Sequence, residues 1–477
     1  MRVVIDNQVR VENPHDELRI WCKNHLVLTN PDYAKKARMN KWTGNTPKTL
    51  SLYSTDGDAL ILPYGCLRTV MLYMDGRDSA EIVMPSPVPV WYDCDIPLYD
   101  YQKEAVAKAL EAQYGILQSP AGSGKTQMGL AMAVTLGRKT LWLTHTHDLL
   151  MQSKERAERY MRKSLLGTIT EGQVNMGLGI TFATVQTMCN LDLVQYKNAW
   201  DCIIVDECHR VAGTPTAMTQ FSKVLNSLAA RHKYGLSATV HRADGMIAAT
   251  YALLGDVVYA VPEEAVADKI MRVSVLPRLT DVDIDRAFLD TDGTIVYAKL
   301  LSYLGENIMR NNQIVGDLVE NRDHYNLILS DRLNHLEDMM WCLPEDLRRQ
   351  AVMVSGKMTS RTAKAERNRA IEQMRRGEKR YLFATYSLAK EGLDIPRLDR
   401  LYLTTPQKDY AVVAQSVGRV ARAFEGKGEP VVYDYVDGKI QYLARTYKKR
   451  CTTYRKLNCK FLTERYLERP FRGDADG

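Results

Sequence analysis

The sequence has no Cys-x-x-Cys pair; its nine cysteines, at positions 22, 66, 94, 189, 202, 208, 342, 451 and 459, are scattered and odd in number. This argues against a disulfide framework and fits reduced thiols in a cytoplasmic protein. Cys202, Cys208 and His209 lie close together, but both cysteines fall in a buried-strand context, which argues against zinc. No apolar stretch approaches the ~18 residues needed to cross a bilayer, so no membrane partner is expected. The opening Met1-Arg-Val-Val-Ile-Asp6 lacks the apolar core of a signal peptide and reads as a strand. Short repeats and low-complexity tracts are absent as well.

What is present fits a globular chain. Its 477 residues are 45% hydrophobic and 25% charged, the balance of a soluble protein with about three domains of ordinary size. The net charge of +7 is mild, but residues 438–477 hold 11 Lys/Arg against 4 Asp/Glu, an excess equal to that of the whole chain. Tyr442, Tyr447, Tyr454 and Phe461 are interleaved with these charges. Such a basic tail suits a polyanionic partner, and equally a solvated helix whose tyrosines pack on the body.

Two strand-end segments carry the chemistry. Tyr114-Gly-Ile-Leu-Gln118 reads as a short buried strand, Gln127–Leu136 as a helix, and Ser119-Pro-Ala-Gly-Ser-Gly-Lys-Thr126 joins them. Gly122 and Gly124 let the backbone of Ala121, Gly122, Ser123 and Gly124 curl and aim N–H groups at phosphate oxygens, with the helix dipole behind them. Lys125 can reach the β/γ-phosphates, and the Thr126 hydroxyl can bind Mg²⁺. Ser119 replaces the usual first glycine. Further on, Cys202-Ile-Ile-Val205 is a continuous apolar run, as in a parallel sheet buried on both faces, and it ends in Asp206-Glu-Cys-His209. Asp206 would hold Mg²⁺, and Glu207 would orient and deprotonate the attacking water. Together the two segments predict nucleoside-triphosphate hydrolysis.

The rest of the chain is organised around them. Residues 1–93 show short alternating runs (Arg2–Val11, Leu50–Tyr53, Ala59–Leu62, Glu81–Met84) broken by turn signals, which predicts a small β-rich module. Pro85, Pro87, Pro89 and Pro97 mark a linker. Over 94–265 apolar strands (Thr140–Thr144, Ile180–Ala183, Cys202–Val205, Tyr234–Ser237) alternate with helical stretches, which predicts a doubly wound α/β domain. A second alternating set over 266–437 (Asn326–Ser330, Ala351–Val354, Arg380–Ala384, Arg400–Leu403, Pro430–Asp434) has no phosphate loop, and 283–322 reads as helical packing or an insertion. Near its end, Gln415-Ser-Val-Gly-Arg-Val-Ala-Arg422 sets Arg419 and Arg422 on one helix face. From a domain lacking its own nucleotide these could act as arginine fingers.

With these segments in order, the chain resembles superfamily 2 helicases and translocases over roughly residues 95–440. Leu98-Tyr-Asp-Tyr-Gln102 is similar to the family's aromatic-Gln element, and Ser119–Thr126 to motif I. Leu143-Thr-His-Thr146 resembles motif Ia, with His145 where proline is common; Thr184-Val-Gln186 is similar to the next strand-contacting element. Asp206–His209 is a DECH-type motif II, and Gly235-Leu-Ser-Ala-Thr239 contains motif III, followed by Val240 where proline is typical. Ala384-Thr385 through Glu391-Gly-Leu-Asp-Ile-Pro396 resembles motif V, and Gln415–Arg422 motif VI.

The resemblance implies an α/β fold of two tandem RecA-like doubly wound parallel-sheet domains, with a small N-terminal α+β accessory domain and a basic helical C-terminal tail. It implies ATP and Mg²⁺, with Gln102 reading adenine and Asp394 contacting nucleotide. By the same carry-over Thr146, Thr184 and Thr385 touch the nucleic-acid backbone, while His209, Ser237, Thr239 and Gln415 couple nucleotide state to domain movement. Asn30-Pro-Asp-Tyr33 and Lys41-Trp-Thr-Gly44 resemble the accessory domain of phage UvsW-type recombination helicases and their XPB-like relatives. Lys35, Lys36, Arg38, Lys41 and Lys48 surround Tyr33 and Trp42, a cluster suited to DNA or, equally, a surface loop with a structural Trp. The implied task is remodelling of branched, forked or single-stranded/duplex-junction DNA, alongside replication or recombination proteins. A restriction-type motor subunit, an RNA helicase and a non-hydrolysing clamp are the alternatives. No nuclease carboxylate–lysine cluster is evident for the first, and the set Lys125, Glu207 and Arg422 argues against the last.

Overall fold

In Arg2–Ile5 and Val9–Glu12 every second side chain is apolar, so pairing them antiparallel turns Val3, Ile5, Val9 and Val11 to one buried face. That face packs on Leu18 and Cys22 of the helix Asp16–His25. Ala59–Leu62 and Ser54–Asp56 extend the sheet on one side, and Ser79–Ile82 joins Arg2–Ile5 in parallel on the other. Val27–Thr29 and Thr49–Ser51 form a separate two-stranded ribbon.

The computed structural model describes residues 1–120, 122–211, 215–238, 246–266, 271–284, 288, 295–355, 361–390, 393 and 395–462. The chain divides into two units, Met1–Ala265 and Val266–Gly477. No helix among the described residues is long and apolar enough to cross a membrane.

The first unit joins the N-terminal sheet to an eight-stranded one. Its order is Gln173–Asn175, Leu166–Thr170, Ile180–Thr184, Thr140–Thr144, Cys202–Asp206, His232–Ser237, Gly115–Gln118, Val257–Ala260. All neighbours are parallel except the first strand. The four expected strands and the phosphate-loop strand are present, because strands buried on both faces are apolar throughout. The proline-containing segment lies along this domain: Val90 N–H donates to Gly137 O (2.9 Å), and the Tyr92 hydroxyl to Arg138 O (2.8 Å).

The N-terminal module is packed firmly onto the larger sheet. Gly65 approaches the backbone of Tyr251–Gly255 so closely that a Cβ would lie 2.4 Å from Gly255 N. Lys233, fully buried at the start of the strand His232–Ser237, donates to Leu225 O (2.7 Å) and Asn7 O (3.1 Å), with its ammonium 4.9 Å from the centre of the Tyr64 ring. Burial pushes this lysine down to about 7.

The second unit holds seven strands in the order Ala351–Val354, Tyr381–Thr385, Asn326–Ser330, Arg400–Leu403, Val431–Val436, Ser274–Leu279, Lys460–Phe461, all parallel. Helices Tyr297–Glu306 and Ile308–Glu320 occupy the stretch expected to be helical. The C-terminal segment is part of this fold. Helix Gln441–Lys456 buries Leu443, Thr446, Arg450, Thr453 and Tyr454, and the strand after it pairs with Ser274 and Val275. Residues 463–477 lie outside the described residues.

Candidate nucleotide site

The loop after Gly115–Gln118 has the backbone its glycines allow. Gly122 and Gly124 adopt φ of +86° and +85°, in the left-handed region, before the helix Lys125–Leu136 begins. A Cβ at Gly124 would lie 2.5 Å from Gln102 Nε2. The helix Asp100–Ala112 thus presses its first turn against the loop: Gln102 Nε2 and the Tyr101 hydroxyl both donate to Ser123 O (2.8 Å each). Gln102 Oε1 accepts from Tyr99 N (2.9 Å), fixing the amide. Ser119 adds a polar link where glycine is usual, its hydroxyl donating to Ser123 Oγ, which donates to Pro120 O (2.7 Å).

Cys202–Asp206 ends two strands away, with His232–Ser237 between it and Gly115–Gln118. Asp206 is nearly buried; Oδ1 accepts from Glu207 N (3.0 Å) and Oδ2 from the Ser153 hydroxyl (3.4 Å). Burial, with the neighbouring Glu207 charge, holds this carboxyl above its usual range, and Lys125 opposes the shift. Glu207 adopts φ +50°, an uncommon conformation for a non-glycine residue, which throws its carboxylate toward the loop. Its Oε1 lies 4.0 Å from Lys125 Nζ, and its Oε2 lies 3.3 Å from His209 Nδ1. The same His209 nitrogen is 3.0 Å from Ser237 Oγ, and Ser119 N donates to Ser237 O (2.9 Å). Polar contacts therefore run unbroken from Gln102 through Ser123, Ser119, Ser237 and His209 to Glu207.

The donor set fits the implied metal. Thr126 opens the helix after the loop and Asp206 closes the strand, offering a hydroxyl and a carboxylate, the hard oxygen ligands Mg²⁺ prefers. Cys208 is buried, and its pKa is raised by burial. A soft-metal site would need that thiol deprotonated.

The remaining expected residues are more dispersed. Thr146 and Thr184 are helix N-caps, their hydroxyls accepting from Leu149 N and Thr187 N (3.4 Å each). Thr385 ends its strand with its hydroxyl 2.9 Å from Ser387 Oγ. In the second unit, helix Tyr410–Val420 buries Val412, Val413, Val417 and Val420 and leaves Gln415 and Arg419 half-buried on another face, with Arg422 just past its end. Lys41 and Trp42 are both exposed, Trp42 to 86%, and Asp32, Lys35, Lys36, Met39, Lys41 and Thr46 line a cavity. Ala121, Thr239 and Asp394 lie outside the described residues.

Tyr101 belongs to the aromatic-Gln element noted in the sequence, whereas two further residues carry no motif signal. Ser153 touches Asp206 as above. Lys427, in a Gly-rich stretch that looks solvated, donates to Pro396 O (3.0 Å), Val420 O (2.7 Å) and Arg422 O (2.7 Å). It ties the end of the arginine-bearing helix to the segment before it.

Residues 95–242 match the family described as type III restriction enzyme, res subunit, and residues 310–424 match the helicase conserved C-terminal domain. The chain belongs to the superfamily 2 helicases. It is therefore an ATP-driven helicase whose two matched regions fall in the two units. A probable helicase of Escherichia phage T5, D10, is 26% identical over 441 residues, covering 91% of this chain and 90% of that protein. The DNA 3'-5' translocase XPB2 of Sulfurisphaera tokodaii is 30% identical over 211 residues, 44% of this chain and 46% of that one. Among solved structures, the ATP-dependent type ISP restriction-modification enzyme LlaBIII bound to DNA aligns with TM-score 0.56 and 17% identity, covering 77% of this helicase and 31% of that chain. That likeness is one of fold. It agrees with the tandem RecA-like domains expected from the motifs.

Proposed function

We propose that this helicase hydrolyses ATP with Mg²⁺ to move on DNA and to remodel branched or forked DNA in replication, recombination or repair. The approach of Glu207 to Lys125 within 4.0 Å, at the mouth of a left-handed glycine loop, carries the reading. Lys125 and the loop N–H groups hold the phosphates, while Gln102 reads adenine from the side of the loop it already touches. Thr126 and Asp206 would hold Mg²⁺, which would supply positive charge beside the phosphates. Glu207 orients the attacking water and takes its proton, with His209 fixing the carboxylate. Arg419 and Arg422 from the second unit stabilise charge on the γ-phosphate, and Asp394 contacts nucleotide. Ala121 N–H joins the phosphate cradle, and Thr239 and Gln415 pass the change in nucleotide state to the domains. Thr146, Thr184 and Thr385 contact the strand largely through its backbone, and Trp42 with Lys41 offers a stacking and phosphate site.

The DNA assignment draws support from a relative named as a DNA translocase and from the near full-length likeness to a phage helicase. A restriction-type motor is a second reading, favoured by the family description over residues 95–242. Gel assays on labelled forks and four-way junctions separate the two. ATP-dependent conversion of these substrates supports remodelling. Translocation on linear duplex with no conversion of either supports the restriction motor.

A further inference from the structure

Helix Gln441–Lys456 has two unlike faces. Leu443, Thr446, Arg450, Thr453 and Tyr454 are buried. Arg450 is locked there by Asp434, which accepts from its Nε and Nη2 and from the Tyr454 hydroxyl (2.7 Å). Both charges of that pair are almost fully buried, so the helix is held in one rotation about its axis.

Arg445, Lys448, Lys449, Thr452, Arg455 and Lys456 are all exposed. At 100° per residue they fall within one arc of the helix, opposite the anchored side, along roughly 16 Å of axis. The helix contains no Asp or Glu. Among the described residues, no carboxylate forms an ion pair with Arg445, Lys448, Lys449, Arg455 or Lys456. Lys456 instead lies over the Tyr410 ring. Five cations on a rigid helix that carries no carboxylate of its own repel one another, and a polyanion relieves that repulsion.

We propose that this face binds the phosphate backbone of duplex nucleic acid. Single-strand sites pair positive charge with exposed aromatic platforms for bases. Here Tyr454 is buried, Tyr442 and Tyr447 are half-buried, and the exposed arc carries only cations and Thr452. It offers charge without stacking, which matches a duplex read by its phosphates. The inference rests on the proposed action on DNA and adds a contact outside the motif residues.

The test is equilibrium binding of full-length protein to a labelled duplex and to a single strand across a salt series. The variant carries Arg445→Gln, Lys448→Gln and Lys449→Gln; thermal unfolding checks that it folds. Loss of three phosphate contacts lowers the slope of log affinity against log salt by roughly 2.7 for duplex, with a smaller change for single strand. A companion carrying Lys448→Arg and Lys449→Arg keeps the wild-type slope. An unchanged duplex slope in the neutralised variant overturns the proposal, as does a change confined to single strand. Wild-type protein that binds neither nucleic acid removes the DNA reading itself, a result distinct from both.

Discussion

His209 Nδ1 lies 3.0 Å from the Ser237 hydroxyl oxygen, so the turn that carries Glu207 is tied to the end of the neighbouring strand. Ser237→Ala cuts that tie and leaves the phosphate loop intact. One such hydrogen bond is worth about 1 kcal/mol, or roughly fivefold. Basal ATPase is expected to fall by about that factor, while stimulation by DNA is lost. Steady-state rates with and without DNA check this; retained stimulation would show that the contact does not couple.

Glu207→Gln keeps the side chain's shape and removes its basicity. Nucleotide binding should persist while turnover falls by about 10²–10⁴, the usual worth of a general base. Equilibrium binding of a fluorescent nucleotide beside single-turnover hydrolysis separates the two. Near-normal hydrolysis would remove Glu207 from its role.

Lys427→Met leaves the carbonyls of Pro396, Val420 and Arg422 without their shared donor. Each unsatisfied buried group costs about 1–3 kcal/mol, so the second unit should lose stability and Arg422 its placement. The expected signature is a lower melting temperature with reduced kcat and little change in nucleotide affinity. An unaltered kcat in folded protein would mean that Lys427 does not position the arginine.

Two of the buried bases illustrate the pH response. His335, between Ser330 Oγ (3.1 Å) and Asn311 Oδ1 (2.9 Å), is pushed by burial to about 3 from the ordinary 6.5. Lys233 is pushed from 10.5 to about 7. In each case the unfolded chain binds the proton more readily, so stability rises with pH across the window between the two values. The His335 contribution is complete above about 6.5 and is lost toward 3. That of Lys233 is complete above about 10.5 and is lost toward 7. Urea midpoints measured across pH should show both rises, and Lys233→Met should flatten the alkaline one.

Much of this was legible because the chemistry sits at strand ends. Cys202–Val205 announces a buried strand, and Asp206 and Glu207 follow where the chain leaves the sheet. Other elements were hidden for physical reasons. Ser274–Leu279 contains Pro277 and Arg278, which argue against a central strand; its outer neighbour, Lys460–Phe461, covers only Ser274 and Val275, so Pro277 is unpaired on that side while it lies opposite Asp434 on the other. A two-residue strand carries no periodicity at all. The basic tail presented two readings in sequence; in the structure one side of its helix packs Arg450 and Tyr454 into the body, while Arg445, Lys448 and Lys449 lie exposed. Thr146 and Thr184 are expected from the resemblance to touch the nucleic-acid backbone, and in the structure both hydroxyls cap helices. Lys427 gave no signal because its role depends on carbonyls brought together only by folding.

An ATP-driven motor acting on branched DNA shows itself in its turnover on different nucleic acids. Steady-state ATPase rates would be compared without nucleic acid and with single-stranded DNA, linear duplex, a fork, a four-way junction and RNA. Turnover should depend on Mg²⁺ and be stimulated most by the fork or the junction. Stimulation by RNA alone, or no turnover with any of them, would contradict it.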